Sequence, residues 1–323
     1  MALYLALRSI VVVVGKVVVY SYLSPSNDFT GRIEVQAHRG GMGMRSEESL
    51  WAFAYAMEIG ADTLEMDSVF TKDGPDIYET KCTGDYVGEY IKNLTLAQVK
   101  SLDCDLQLHD YVQQNTHHGT KIAILEEVLE LVNCYGDKDV TINLETKIDP
   151  TAPERTWPVE KYIELIPILS KHGLLERTTI QSFDWRTHIL IHEQYPAVPL
   201  VALLDQTTIV PNTTGGAYPW LGGLNLEKDY DGDWVATAAR DRGERYTLFT
   251  TKNVVDRANR LGMQVIPGTI DYEVMSNKMI DGGVHSIISN YPERVFAVAR
   301  QRGLSIGHAK NPSMPECLTN ASV

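Results

Sequence analysis

Short apolar runs rich in β-branched residues alternate with helix-like runs from about residue 33 to residue 302. The predicted strands are IEVQAH (33–38), DTLEMDSVF (62–70), DVTINLETK (139–147), TTIQSFD (178–184), VPLVALL (198–204), GGLNLE (222–227), QVIPGTI (264–270) and HSIISN (285–290). The predicted helices are SEESLWAFAYAMEIG (46–60), with Ser46 at its N-cap and Gly60 at its end, TLAQVKSLD (95–103), AILEEVLELVN (123–133), VEKYIELIPILSKHG (159–173), TKNVVDRANRLG (251–262), 272–281 and PERVFAVARQRG (292–303).

This alternation predicts a parallel sheet covered by helices. Many strand–helix units without a glycine-rich dinucleotide fingerprint favour a closed α/β barrel, the TIM-type (β/α)8 fold, over a doubly wound sheet. We expect some units to be irregular or shortened. No internal linker interrupts the pattern, so we predict one barrel domain over residues 31–303. An N-terminal hydrophobic extension (1–30) precedes it, and a C-terminal tail (304–323) follows that we expect to be loose.

The hydrophobic segment over residues 2–23 is long enough to span a bilayer, but an arginine and a lysine interrupt it. Three interpretations stay open: a signal peptide or signal anchor, a β-hairpin that turns at Gly15 and Lys16, and an unprocessed or wrongly assigned start. N-x-S/T sequons favour a secretory or membrane-associated location, with contact through residues 2–23, and leave a cytoplasmic one open. The sequons begin at Asn93, Asn212 and Asn320.

Composition narrows the choice of partner. A net charge of −13 disfavours nucleic acid and anionic membranes as partners. It leaves a small anionic substrate open, because a local cation or metal can invert the field of a site. The four cysteines show no CxxC spacing, which argues against a zinc cluster and allows one disulfide in a secreted chain. No feature of the sequence indicates an oligomeric state.

Polar side chains cluster at the carboxyl ends of three predicted strands, where barrel enzymes build their active sites. They are His38 and Arg39, then Glu65 and Asp67, then Glu145 and Lys147. Residues two apart on a strand share a face, so Glu65, Asp67 and Glu145 can point into the barrel together. Three crowded carboxylates would repel one another, and a hard divalent cation, Mg²⁺ or Ca²⁺, relieves that repulsion. The alternative, polar outward faces of half-exposed strands, is weakened by the recurrence at three strand ends.

His38 ends an apolar strand and runs directly into RGG (39–41). The glycines let backbone N–H groups approach an anion, and the planar fork of Arg39 suits a phosphate. A lone histidine is more often a structural residue, and it is this position that favours a chemical role.

These motifs together resemble the glycerophosphodiester phosphodiesterase family, most closely its fungal-type members, over about residues 33–303. The segments that carry the resemblance are HRGG (38–41), SEESLWAFAYAMEIGADTLEMD (46–67), TKDG (71–74), NLTLAQVKSLDC (93–104), NLETK (143–147), TIQSFDW (179–185) and GVHSIISNYPE (283–293). Ser46 replaces the family's proline in the second segment, and Glu47 aligns with the family's glutamate.

The resemblance implies a TIM barrel that hydrolyses glycerophosphodiesters with a divalent metal. It implies Glu65, Asp67 and Glu145 as metal ligands and His38 as a catalytic acid or base. Arg39, Glu47 and Lys147 would lie around the phosphate of a small phosphoester substrate. Two histidines on opposite sides of that substrate would handle the protons.

The chain also departs from the family pattern. In a gap-free alignment, Glu79 and Thr80 stand where the family's second His-Asp motif belongs, whereas alignment on TKC (80–82) implies that the segment with the pair is deleted. In either case the pair is missing from the sequence. The family's W-T-V-N becomes Gly268–Asp271, and His285 replaces a usual aspartate. Loss of one general acid or base removes a factor of about 10²–10⁴ in rate. The metal ligands are therefore expected to be kept and the proton-transfer machinery to be altered.

Replacement proton donors can be named from the sequence. The insertion 109–121 contains His109, His117 and His118 and is either an exposed loop or a lid over the site. Glu79 could serve if burial raised its pKa. Three functions stay open: a divergent phosphodiesterase, the same metal site recruited to a lyase, cyclase or isomerase step, and a non-catalytic binding protein.

Overall fold

The computed structural model describes residues 17–21, 31–71, 82–205, 207–209, 211–212, 216, 218–223, 250–260, 263–307 and 311–320. Its strands are β1 (Val17–Ser21), β2 (Arg32–Ala37), β3 (Thr63–Ser68), β4 (Thr141–Thr146), β5 (Thr178–Ser182), β6 (Leu200–Ala202), β7 (Met263–Pro267), β8 (Ser286–Ser289) and β9 (Ser305–Ile306). Its α-helices are α1 (Leu50–Ile59), α2 (Leu96–Ser101), α3 (Leu125–Tyr135), α4 (Leu165–Lys171), α5 (Trp185–Gln194), α6 (Lys252–Arg260), α7 (Glu273–Asp281), α8 (Pro292–Gln301) and α9 (Pro315–Asn320).

The strands follow one another in the order β7-β1-β6-β5-β4-β3-β2-β8, and β9 adds to β2. Strands β8, β2, β3, β4, β5 and β6 pair in parallel. The two ends of this path contact each other. Just after β7, the Ile270 N–H donates to the Ile288 carbonyl of β8 at 2.9 Å. The predicted fold class, an α/β TIM-type barrel, is confirmed.

Alternate residues of the parallel strands divide between two environments, as the period of two requires. Most outward-facing residues of β2, β3 and β4 are apolar, buried and packed in the helix layer, as Val35, Leu64 and Leu144 show. Full burial of such a side chain contributes about 1.5–3 kcal/mol. The inward-facing positions carry polar groups instead, so polar side chains line the barrel interior.

A hydrogen-bond network fills that interior. Asn143 Nδ2 donates to Gln36 Oε1 at 3.0 Å and to Gln181 Oε1 at 2.9 Å. Gln181 Nε2 then donates to Glu65 Oε1 at 2.6 Å, and Thr179 Oγ1 donates to Asn143 Oδ1 at 3.0 Å. Buried polar groups need such partners, and here the network ends at one of the predicted metal ligands.

The start of α1 differs from the prediction that Ser46 caps it. Glu48 has a φ of 54°, so the chain before it is not helical. Ser49 is the N-cap instead: its hydroxyl accepts from Ala52 N–H at 3.2 Å and donates to the Ser46 carbonyl at 2.6 Å. The prediction that Ser46 is the N-cap is therefore wrong, because the helix begins after Ser49.

The sixth position of the barrel also differs from the prediction. Gly222 and Gly223 form a turn, and residues 224–227 of the predicted strand GGLNLE lie outside the described residues. Between β6 and β7 lies β1, antiparallel to both, with Val19 opposite Ala202 on one side and Val265 on the other. A backbone from the N-terminal extension thus supplies ladder hydrogen bonds that these two strands need.

β1 begins directly after the predicted hairpin turn at Gly15 and Lys16. Residues 1–16 and 22–30, on which the signal and anchor interpretations depend, lie outside the described part of the chain. Within the part that is described, every helix is too short or too polar to cross a bilayer.

Two disulfides form where the sequence allowed one. Cys82 pairs with Cys104, and Cys134 on α3 pairs with Cys317 on α9. The C-terminal tail, expected to be loose, therefore contains a helix that is covalently attached to the barrel. Leu318 is 8% exposed and packs in the same apolar cluster as α3, which accounts for the order of this segment.

Candidate active site

Three carboxylates converge at the carboxyl ends of β3 and β4. Glu65 and Asp67 alternate with outward residues on β3, and the strand register places Asp67 opposite Glu145 of β4. One oxygen of each of the three lies within 4.8 Å of the others. The structure thus brings together the residues predicted to bind metal.

Burial and mutual repulsion perturb these acids. The pKa of Glu65 is raised well above its ordinary range by burial and by the charges of Asp67 and Glu145. Burial raises the pKa of Glu145 to about 7, with Lys147 opposing and Asp67 adding to the rise. Burial would raise the pKa of Asp67 as well, but Arg39 and Lys147 lower it below its usual range. The site therefore holds more negative charge than its buried environment tolerates without cations.

Two cationic side chains stand beside the acids. Lys147 Nζ lies 2.7 Å from Glu145 Oε1 and 3.2 Å from Asp67 Oδ1. Burial lowers the pKa of Lys147, but Asp67 and Glu145 more than reverse this, so the net shift is upward and the ammonium is retained. Arg39 Nε lies 2.9 Å from Asp67 Oδ2, and its Nη1 donates to Glu47 Oε2 at 2.7 Å. Glu47 thus holds the guanidinium at the rim.

The HRG turn places Arg39 against the acids through its backbone too. Arg39 has a φ of 50°, and its N–H donates to Glu65 Oε2 at 3.0 Å. Gly40 follows with a φ of 79°, and a Cβ there would lie 2.6 Å from the Ala52 Cβ. Only glycine meets both demands, which explains the glycine after His38-Arg39.

His38 lies on the same rim. Its Nε2 is 3.8 Å from Glu65 Oε2, and its Nδ1 is 2.6 Å from Asn290 Oδ1. Asn290, directly after β8, donates through Nδ2 to Asp271 Oδ2 at 2.7 Å and to Tyr111 Oη at 3.2 Å. Burial, with Asp271 and Glu47 nearby, raises the pKa of Tyr111 to about 12, so its hydroxyl stays protonated.

Four residues of this arrangement were missed by the sequence reasoning: Gln181, Asp271, Asn290 and Tyr111. Gln181 and Asn290 lie at strand ends, within TIQSFDW and GVHSIISNYPE, so the rule that selected the carboxylates could have selected them. Tyr111 carries no such signal, because it reaches the site from the insertion.

The insertion 109–121 contributes Tyr111 rather than a histidine. His109 and His118 are fully exposed, and His117 stacks on Trp51 with ring centroids 3.9 Å apart. His285 lies at the start of β8, where its carbonyl accepts from Glu34 N–H. Glu79 and Thr80 lie outside the described residues.

The donor set fits a hard divalent cation. All three groups offer carboxylate oxygens, which Mg²⁺ and Ca²⁺ prefer. Asp67 Oδ1 is buried and, among the described residues, accepts no hydrogen bond of good geometry, although Lys147 is close by. Such an oxygen is available to a metal.

A small cavity opens above these groups. The residues that line it include polar ones, His38, Lys147 and Gln181, and apolar ones, Phe183 and Leu203. A lining that combines charged and apolar side chains suits a small ligand with an anionic group.

Comparison with known proteins agrees with this geometry. Residues 38–294 match the family model described as the glycerophosphoryl diester phosphodiesterase family. A glycerophosphodiester phosphodiesterase of Bacillus subtilis is 27% identical over 277 residues, which cover 83% of this chain and 87% of that protein. The structure of a candidate glycerophosphoryl diester phosphodiesterase from Silicibacter pomeroyi is similar with a TM-score of 0.67 at 24% identity, over 88% of this chain and 96% of the other. An Oleispira antarctica phosphodiesterase, solved in complex with the product sn-glycerol-3-phosphate, gives 0.56 at 20% identity, over 84% and 98%.

Proposed function

Because the chain belongs to the glycerophosphoryl diester phosphodiesterase family, we propose that it hydrolyses glycerophosphodiesters or a related small phosphoester. The observation that carries the proposal is the approach of Glu65, Asp67 and Glu145 oxygens to within 4.8 Å of one another. The product held by the Oleispira antarctica relative, sn-glycerol-3-phosphate, supports the same substrate class. We assign the metal site to Mg²⁺ or Ca²⁺.

The charged residues around the carboxylate cluster would each have a separate role in hydrolysis. A bound divalent cation would polarise a phosphoryl oxygen and stabilise the charge that develops on it. Lys147 and Arg39 supply further positive charge for the phosphate, and Glu47 fixes Arg39 through its 2.7 Å hydrogen bond. His38, on the same rim, accepts a proton from the attacking oxygen.

The altered second motif sets the expected rate. The bond from phosphorus to the leaving alcohol oxygen breaks as the attacking oxygen bonds to phosphorus. With Glu79 and Thr80 in place of the family's His-Asp pair, that leaving oxygen takes its proton from water rather than from the usual donor. We expect kcat to fall about 10²–10⁴-fold below that of a relative that carries the pair, measured under the same conditions.

The disulfides bear on where the protein works. All four cysteines are paired, and structural disulfides persist mainly in oxidising compartments. We therefore favour a secreted location, or one on the outer side of a membrane. Reactivity of the native protein towards a thiol reagent, before and after reduction, tests the pairing directly.

Hydrolysis of glycerophosphocholine by the full-length protein, with Mg²⁺ or Ca²⁺, tests the function. We expect release of glycerol 3-phosphate, and a loss of at least about 10²-fold in His38→Ala and Glu65→Gln. His109→Ala and Glu154→Gln, both of exposed side chains, are matched controls that should keep wild-type activity.

Two results would contradict the proposal. Unchanged turnover in both His38→Ala and Glu65→Gln would assign the activity to a contaminant. Metal binding without turnover of any phosphodiester would instead favour the recruited or non-catalytic barrel.

A further inference from the structure

Asn290 bridges His38 and Asp271, which come from opposite ends of the chain. Its Oδ1 lies 2.6 Å from His38 Nδ1, and its Nδ2 lies 2.7 Å from Asp271 Oδ2. Its backbone N–H donates to Asp271 Oδ1 at 2.9 Å, and Ser289 Oγ donates to the same oxygen at 3.2 Å. Asn290 is 4% exposed, so solvent competes little for these bonds.

The chemistry of Asp271 fixes the orientation of the Asn290 amide. A carboxylate only accepts hydrogen bonds, so the amide atom that faces it must be the NH₂ group. The carbonyl oxygen of Asn290 then faces His38. Since that oxygen only accepts, the His38 Nδ1 must carry a hydrogen.

The second nitrogen of a neutral imidazole is the one without a hydrogen. In His38 this is Nε2, which points towards the carboxylate cluster and lies 3.8 Å from Glu65 Oε2. The proton-accepting atom is thus directed at the place where a metal-bound substrate would lie, and the hydrogen bond from Nδ1 to Asn290 fixes the ring in this orientation.

We propose that Asp271 and Asn290 are positioning residues that hold His38 as the Nδ1–H tautomer, with Nε2 directed at the carboxylate cluster. The inference rests on the proposed function only where it gives His38 a proton to accept. Position 271, where the family's asparagine is replaced, then has a specific use in this chain: the aspartate decides which way the Asn290 amide faces.

Tyr111 has a secondary place in this arrangement. Its Oη accepts from Asn290 Nδ2 at 3.2 Å, on the same side of the amide as Asp271. The hydroxyl could accept from an NH₂ group or donate to a carbonyl, so it does not select an orientation by itself. The orientation of the Asn290 amide is therefore determined by Asp271 and not by Tyr111.

The tautomer is visible by NMR independently of activity. We would label histidine with ¹⁵N in the full-length protein and record long-range ¹H–¹⁵N correlations at a pH where the His38 ring is neutral. His38→Gln identifies the His38 signals among the nine histidines. We expect the Nδ1–H pattern in the wild type. The Nε2–H pattern there would overturn the proposal.

Two variants test whether Asp271 and Asn290 determine the tautomer of His38. Asp271→Asn keeps size and shape, and its amide oxygen stays on the Asn290 backbone N–H, so its NH₂ group faces the Asn290 side chain. The Asn290 amide then turns over, its NH₂ faces His38, and we expect the Nε2–H pattern. Asn290→Leu removes the bridge, so we expect both tautomers of His38 to be populated. In Asp271→Asn, where the wrong tautomer dominates, kcat should fall about 10²-fold or more, and in Asn290→Leu, where equal populations leave half of the molecules competent, about 2-fold. KM should stay unchanged in both, because proton transfer and not substrate binding is affected. If Asn290→Leu does not fold, Asp271→Asn decides alone.

Controls separate this inference from the proposed function. Tyr111→Phe should keep the wild-type tautomer. Gln113→Ala, which removes the exposed hydrogen bond that Gln113 accepts from Arg294, should keep both tautomer and activity. A wild-type tautomer pattern in both Asp271→Asn and Asn290→Leu would refute the positioning role. If the tautomer responds as expected but no phosphodiester is hydrolysed, the proposed function fails and the orientation stands.

Discussion

Gln181 offers a sharp test of how the barrel interior prepares the metal site. Its Nε2 donates to Glu65 Oε1 at 2.6 Å, and both side chains are 1% exposed. Gln181→Met keeps the length of the side chain and removes its donor. Glu65 then keeps the Arg39 N–H bond to its other oxygen but loses the one that fixes its plane.

The magnitude follows from the type of bond. A hydrogen bond to a charged group contributes about 1.5–3 kcal/mol, which corresponds to about 10- to 150-fold in a binding constant. Changes behind a metal ligand typically cost about 10–100-fold in metal affinity. We therefore expect the Kd for Mg²⁺ or Ca²⁺ to rise by about 10–100-fold.

Isothermal titration calorimetry of the chelator-treated protein measures this Kd without any substrate. Thr179→Val is the matched control, because Thr179 donates to Asn143 and not to Glu65. It should lower Tm and leave the metal Kd unchanged. The reasoning is refuted if folded Gln181→Met binds metal as tightly as the wild type, or if Thr179→Val weakens binding equally.

Three further predictions concern pH, backbone and disulfide. The pKa of Glu145, raised from 4.5 to about 7, favours the protonated form in the folded state. The Tm of the metal-free protein should therefore fall as pH rises from about 4.5 to about 7 while metal affinity rises. Glu145→Gln should make both slopes shallower, and Glu65, whose pKa is also raised, keeps part of them. Gly40→Ala should lower stability by at least about 2 kcal/mol in urea unfolding, against about 1 kcal/mol for Gly119→Ala, whose added Cβ meets open space. Cys317→Ser should cost up to about 5 kcal/mol, since the Cys134–Cys317 bridge closes a long loop, and reduction of the wild type, which also breaks Cys82–Cys104, should lower Tm by at least as much.

The sequence predicted the barrel because buried parallel strands require β-branched runs in regular alternation with helices. The same periodicity placed Glu65, Asp67 and Glu145 on one face, since residues two apart on a strand must share it. Local pattern was sufficient for these features, because each depends on residues that are neighbours in the chain or on adjacent parallel strands.

Features that depend on distant partners could not be predicted in this way. Nothing near Tyr111 indicates that an insertion residue would reach Asn290, 179 positions away. The position of β1 between β6 and β7 is a long-range antiparallel pairing that alternation does not encode. Asp271 illustrates a third case: as a departure from the family pattern it suggested damage, whereas its contacts make it part of a hydrogen-bond network around His38.

The antiparallel β1 makes the integrity of the barrel sensitive to any proteolytic cut near this strand. A cut before Val17 would leave the β1 pairings with β6 and β7 unchanged, whereas a cut after Ser21 would expose the facing edges of both strands. Unpaired edges of that kind recruit other chains, so such a product would be prone to aggregate. β1 precedes β6 and β7 in the chain, so its pairings can form only after both of those strands have left the ribosome.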